Sequence, residues 1–98
     1  MKPYSMGQQN NKETIHPHEL AEKFEHQIKE TIANKFFVAL EELSILSSDK
    51  EGVYLSEKEP NTLCCFVVGE KNGFLYLVTA KIEEDGKNLN NFKSDIVS

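Results

Sequence analysis

His18, Glu22 and His26 recur every four residues, and residues four apart on an α-helix lie on one face. Two imidazoles and a carboxylate form a ligand set for zinc or another divalent ion. At 1.5 Å of rise per residue the row is about 12 Å long, so one ion reaches a neighbouring pair and not all three. His16, in His16-Pro17-His18, adds an imidazole at a spacing with no regular ligand geometry. The row also falls opposite Leu20, Phe24 and Ile28, where an amphipathic helix carries its solvated residues. A solvated helix face is the first reading, and a small metal-dependent enzyme using His18, Glu22 and His26 is the alternative.

The other reactive side chains offer less. Glu41-Glu42, Glu57 with Glu59, and Glu83-Glu84-Asp85 bring acids together, but they fall on helix surface, turn and strand end. Catalytic carboxylates need an enclosed site that shifts their pKa. Ser44, Ser47 and Ser48 lack a Gly-x-Ser-x-Gly context, and Gly69 to Gly73 does not open a helix as a phosphate-binding loop does. Cys64 and Cys65 are adjacent, so in a strand they point to opposite faces and do not bridge. Their spacing is neither a redox nor a zinc motif, which leaves packed, reduced thiols. No catalytic residue, resident metal or cofactor is assigned.

Sixteen acidic against eleven basic residues give the 98-residue chain a net charge of −5, with no arginine. Charge-driven binding to a phosphate backbone is disfavoured, and bidentate recognition of phosphate or guanine is unavailable. Nucleic acid is therefore not an expected partner. No apolar stretch reaches the ~18 residues of a membrane span, and the N-terminus lacks the apolar core of a secretory signal. The expectation is no membrane association and a cytoplasmic location.

These residues must be positioned by few elements. The polar, Gln/Asn-rich segment 1–13 reads as a flexible arm, and residues 14–98 as a single domain. Thr14 or Pro17 starts a helix in which Leu20, Phe24, Ile28, Thr31 and Ile32 recur at three and four. That pattern leaves Glu22, His26 and Lys29 exposed. From Phe36 to Leu46 apolar residues crowd with no Gly or Pro between them, so one long helix is expected to run to about Leu46, with a break near Asn34-Lys35 as the alternative. Three strands follow: Val53–Glu57, a central run from Thr62 to Val68, and a run from Phe74 to about Glu83, with an Asn72-Gly73 type I′ turn between the last two. Asn88–Ser98, with Leu89, Phe92 and Ile96, reads as a short terminal helix or a trailing end. The fold class is α+β, one long N-terminal helix packed on a three-stranded antiparallel β-meander.

Both faces of that meander are apolar. With an even hairpin loop, Leu63, Cys65, Val67, Tyr76, Val78, Ala80 and Ile82 share one face, and Cys64, Phe66, Val68, Leu75 and Leu77 the other. A four-residue Lys58–Asn61 loop would place Val53 and Leu55 on the second face. One helix covers one face, whereas a sheet with a solvated side should alternate apolar and polar. Phe66, Val68, Leu75 and Leu77 are therefore the candidate partner-binding residues. The expected function is a small, acidic, cytoplasmic protein-binding module, an adaptor, dedicated chaperone or inhibitor, that forms a homodimer or binds another protein.

Overall fold

Pro17 opens the first helix, α1 (Pro17–Lys23), in the computed structural model of the protein, which describes residues 15–46 and 52–98. The ring of Pro17 fixes a helical φ at a position whose N–H needs no intrahelical acceptor. The flexible arm expected over 1–13, and Thr14 as a cap, lie outside the described residues. At Phe24 (φ −106°, ψ 22°) the helix breaks and α2 (Glu25–Phe36) begins. The hydrogen-bond ladder runs across this break, with the Phe24 N–H donating to the Leu20 carbonyl and the Ile28 N–H to that of Phe24.

The expected long helix to Leu46 does not form. Phe37 turns left-handed (φ 59°, ψ 49°) and its N–H donates to the Ala33 carbonyl, which closes α2. A 3₁₀ turn (Leu40–Glu42) then leads into β1 (Leu43–Ile45). The apolar density of 36–46 conceals a change of period: Leu43-Ser44-Ile45 alternates as an edge strand does.

The antiparallel sheet has five strands and not three: β1, β2 (Val53–Leu55), β3 (Thr62–Gly69), β4 (Leu75–Ile82) and β5 (Leu89–Ile96). β3 sits between β4 on one side and both β1 and β2 on the other, and β5 extends the sheet beyond β4. Leu43 pairs with Gly69 and Leu55 with Leu63, so β1 and β2 run end to end along one edge of β3. The join is opposite Phe66, whose carbonyl accepts from the Leu46 N–H and whose N–H donates to the Gly52 carbonyl. A Cβ on Gly52 would fall on the Leu46 carbonyl, so the chain returns to the edge only with glycine there.

The β3–β4 hairpin has four loop residues, 70–73. Gly73 has φ 75°, but Asn72 is not left-handed, so the turn is not type I′. Asn72 acts through its side chain: its Oδ1 accepts from the Phe74 N–H and its Nδ2 donates to the hydroxyl of Tyr76. Tyr76 is fully buried, and this bond satisfies its one polar atom. The even loop gives the expected face memberships, in a register that sets Val67 opposite Tyr76 and Val68 opposite Leu75.

The β2–β3 connection overturns the expected faces of β2. Val53 pairs with Cys65 and Tyr54 with Cys64, so Val53 joins the helix side and Tyr54 the other. Ser56 Oγ accepts from the Lys58 and Glu59 N–H groups, and Asn61 takes φ 56°. This left-handed residue lets the loop close with an odd count and reverses the parity.

The C-terminal segment is a strand. Leu89, Phe92 and Ile96 are spaced three and four apart, as on a helix, yet all face the helical layer, because β5 carries an irregularity opposite Ala80 where Asn91 adopts φ 55°. This is a bulge with a left-handed residue, and it shifts the strand by one, so that Leu89 faces Ile82 and Ser94 faces Val78. Lys35 ties α2 to this strand by donating to the Ser94 carbonyl at 2.7 Å.

Leu20, Ala21, Ile28 and Ile32 pack on Leu63, Cys65, Val67, Tyr76 and Val78 to form the core, joined by Val53 and Leu89. Phe24 is half-buried against Phe92. Glu22 and His26 are exposed as expected, whereas Lys29 is half-buried and pairs with Glu25 at 2.7 Å. Asn91→Val should destabilise by roughly 1 to 3 kcal/mol, since a β-branched residue resists positive φ. Asn91→Gly should cost little in the same urea titration, and equal losses in both would contradict the bulge.

Candidate functional site

The helical layer lies on one face of the sheet, and Phe66, Val68, Leu75 and Leu77 lie on the other. All four are half-buried, shielded by their neighbours within the strands. The register stacks Phe66 beside Leu77 and Val68 beside Leu75, so the four form one block. Tyr54 extends it toward the edge, its ring 6.0 Å from that of Phe66. Among the described residues, no helix or strand packs on this face.

At the β2 end of the same face, Ser56 and the loop residues 57–59 help to line an open-sided groove of about 800 Å³. Tyr54, Cys64, Leu77 and Thr79 line its base, and Lys81 and Lys93 stand on its rim. Lys81 Nζ donates to Thr62 Oγ1 at 3.3 Å and lies 3.9 Å from Glu59. Sequence reasoning found Leu77 but not the groove, because the enclosure depends on the shape of the loop and on β5 placing Lys93 opposite Thr79.

Cys64 and Cys65 point to opposite faces and both are free. Burial pushes the Cys65 thiol up to about 12, with a smaller push from Cys64. Burial also raises Cys64, partly offset by its hydrogen bond with Tyr54. The Tyr54 phenol is raised too, by burial first and then by the neighbouring Cys64. Both thiols are therefore poor nucleophiles, because the thiolate is the reactive form.

His18, Glu22 and His26, read first as a solvated helix face and alternatively as a metal site, do not lie on one unbroken helix. His18 lies in α1 and His26 in α2, on either side of the break at Phe24. His26 Nε2 is 3.4 Å from Glu30 in an exposed i,i+4 pair. Among the described residues, no three His, Cys, Asp or Glu side chains converge as a metal site, and no helix is long and apolar enough to cross a membrane.

Sequence reasoning also passed over several exposed apolar residues. Phe37 is 93% exposed at the end of α2. Phe74, Ile96 and Val97 are exposed where β4 begins and β5 ends. Phe74 and Phe36 both contact Tyr76, with ring centroids 6.3 and 5.3 Å away. The apolar pattern places Phe37 within the long helix, and Ile96 in a short terminal helix or a trailing end.

No protein-family model, curated protein or solved structure matches the chain.

The buried thiols set a pH dependence. The folded state holds the Cys65 proton above the ordinary thiol value of 9.0, so it binds more protons than the unfolded state once pH passes 9. Stability should therefore be level up to that point and fall above it. Cys65→Ala should flatten the fall relative to wild type in urea titrations between pH 8 and 10.5, and an unchanged slope would contradict the assignment.

Proposed function

We propose that this protein is a small, acidic protein-binding module, an adaptor, dedicated chaperone or inhibitor, that contacts its partner through the open face of its sheet. One observation supports this reading. Both helices sit on the same face, while Phe66, Val68, Leu75 and Leu77 form a continuous apolar block on the opposite one. A solvated sheet face normally alternates to polar residues, and an apolar block of this kind fits a contact surface.

A second copy of the chain is the simplest partner, since isologous dimers are the commonest assemblies. Four strand widths by eight residues make a face of roughly 500 Å², at about 4.8 Å between strands and 3.3 Å per residue. A standard interface buries about 800 Å² on each partner. A stable partner would therefore reach past the block onto the Ser56–Asn61 loop or the sheet end. Two reduced, buried cysteines suit a reducing compartment such as the cytoplasm.

Leu77→Lys tests this reading. Measured by light scattering and circular dichroism, the variant should stay folded but lose the assembly formed by wild type, because a buried unpaired charge costs several kcal/mol. If wild type is a monomer at all concentrations, and Leu77→Lys leaves both its stability and its capture of cellular proteins unchanged, the open face is not a contact surface.

A further inference from the structure

We propose that the groove beside Tyr54 is a binding site for a small amphipathic monoanion, a carboxylate carrying a short apolar tail. The groove shares Leu77 with the proposed contact face, while Phe66, Val68 and Leu75 lie outside its lining. At about 800 Å³, the groove lies in the range of small-molecule sites, which pair an apolar lining with a few placed polar groups. Its base supplies the lining. Cys64 is only 6% exposed, Leu77 flanks it, and the Tyr54 ring is braced against Phe66 at 6.0 Å.

Charge selects the ligand head. The chain carries −5 overall, yet three lysines, Lys58, Lys81 and Lys93, meet two glutamates, Glu57 and Glu59, around the groove. Glu59 answers Lys81 across 3.9 Å. Lys93 makes no hydrogen bond or ion pair among the described residues, and the pairing of Lys93 with Thr79 sets it beside the base of the groove. The local surplus is one positive charge, which suits one carboxylate. A phosphate dianion would be left half-neutralised, with no arginine to grip it in two places. The tail then lies along Leu77 and Cys64 toward Tyr54, and the head meets Lys93.

Octanoate and its neutral analogue octanamide are the probes, titrated into the full chain while backbone amide NMR shifts are followed. Octanoate should give saturable shifts centred on Cys64, Thr79 and Lys93, with a dissociation constant on the order of 1 mM for a ten-heavy-atom ligand. Octanamide should bind roughly fivefold to tenfold more weakly, the loss of one charge-assisted contact at a partly solvated site. Lys93→Gln should weaken octanoate binding by the same factor without changing octanamide, and Lys93→Arg should restore it. Lys93 is exposed, so these variants keep the fold, and their unperturbed spectra verify that. No saturable shifts, equal binding of both probes, or unchanged octanoate binding by Lys93→Gln would each overturn the proposal.

Discussion

Successive side chains of a strand point to opposite faces, so one helical layer can dry only half of an apolar strand. The rest of this structure follows from that constraint. In β3, Leu63, Cys65 and Val67 go to the helices, and Cys64, Phe66 and Val68 go to the other side. In β4, Tyr76, Val78 and Ala80 repeat the first choice, and Leu75 and Leu77 the second. The helical side is closed by residues with almost no exposure, including Ile28, Ile32, Val67 and Tyr76. The other side is left with the same kind of residue and no layer of described structure above it. A sequence that merely needed to fold could have placed polar residues there at little cost, since only one side is required for the core.

The sequence announces the layers but not the points where the chain changes direction, and the reason is physical. Its reading relied on Gly and Pro as punctuation, yet the three decisive breaks use the other residues with positive φ: Phe37, Asn61 and Asn91. Phe37 ends the helix whose apolar pattern continues to Leu46. Asn61 reverses the parity of β2, exchanging Val53 with Tyr54. Asn91 makes the bulge that lets Leu89, Phe92 and Ile96 share a sheet face despite a helical spacing. Asn tolerates the left-handed region because its short amide can bond locally, so the two asparagines were weak signals in plain view. Phe37 gave no such signal. What alternation and one even hairpin loop could determine, the membership of the two faces of β3 and β4, came through correctly.

The candidate site was legible to the same degree. Phe66, Val68, Leu75 and Leu77 follow from alternation alone, and the structure brings them together. The groove beside them needed tertiary information, because Tyr54 reaches it through the parity change at Asn61, and Lys93 through the strand that Asn91 makes possible. The histidine row shows the opposite case. Its residues have suitable chemistry, but the break at Phe24 divides them between two helices, with Glu22 and His26 exposed. Ligand-type residues at helical spacing are a site only where their side chains converge, and among the described residues no three do.

The central claim is that one face is dry within the chain and the other is open. Methyl NMR with a soluble paramagnetic chelate measures this directly, in dilute monomer and again at high concentration or with a captured partner. In the monomer, the methyls of Val68, Leu75 and Leu77 should broaden strongly while those of Val67, Val78, Ile28 and Ile32 do not, and association should then protect the first group alone. Equal protection of both groups in the dilute monomer would contradict the account, because the chain itself would then be covering the second face.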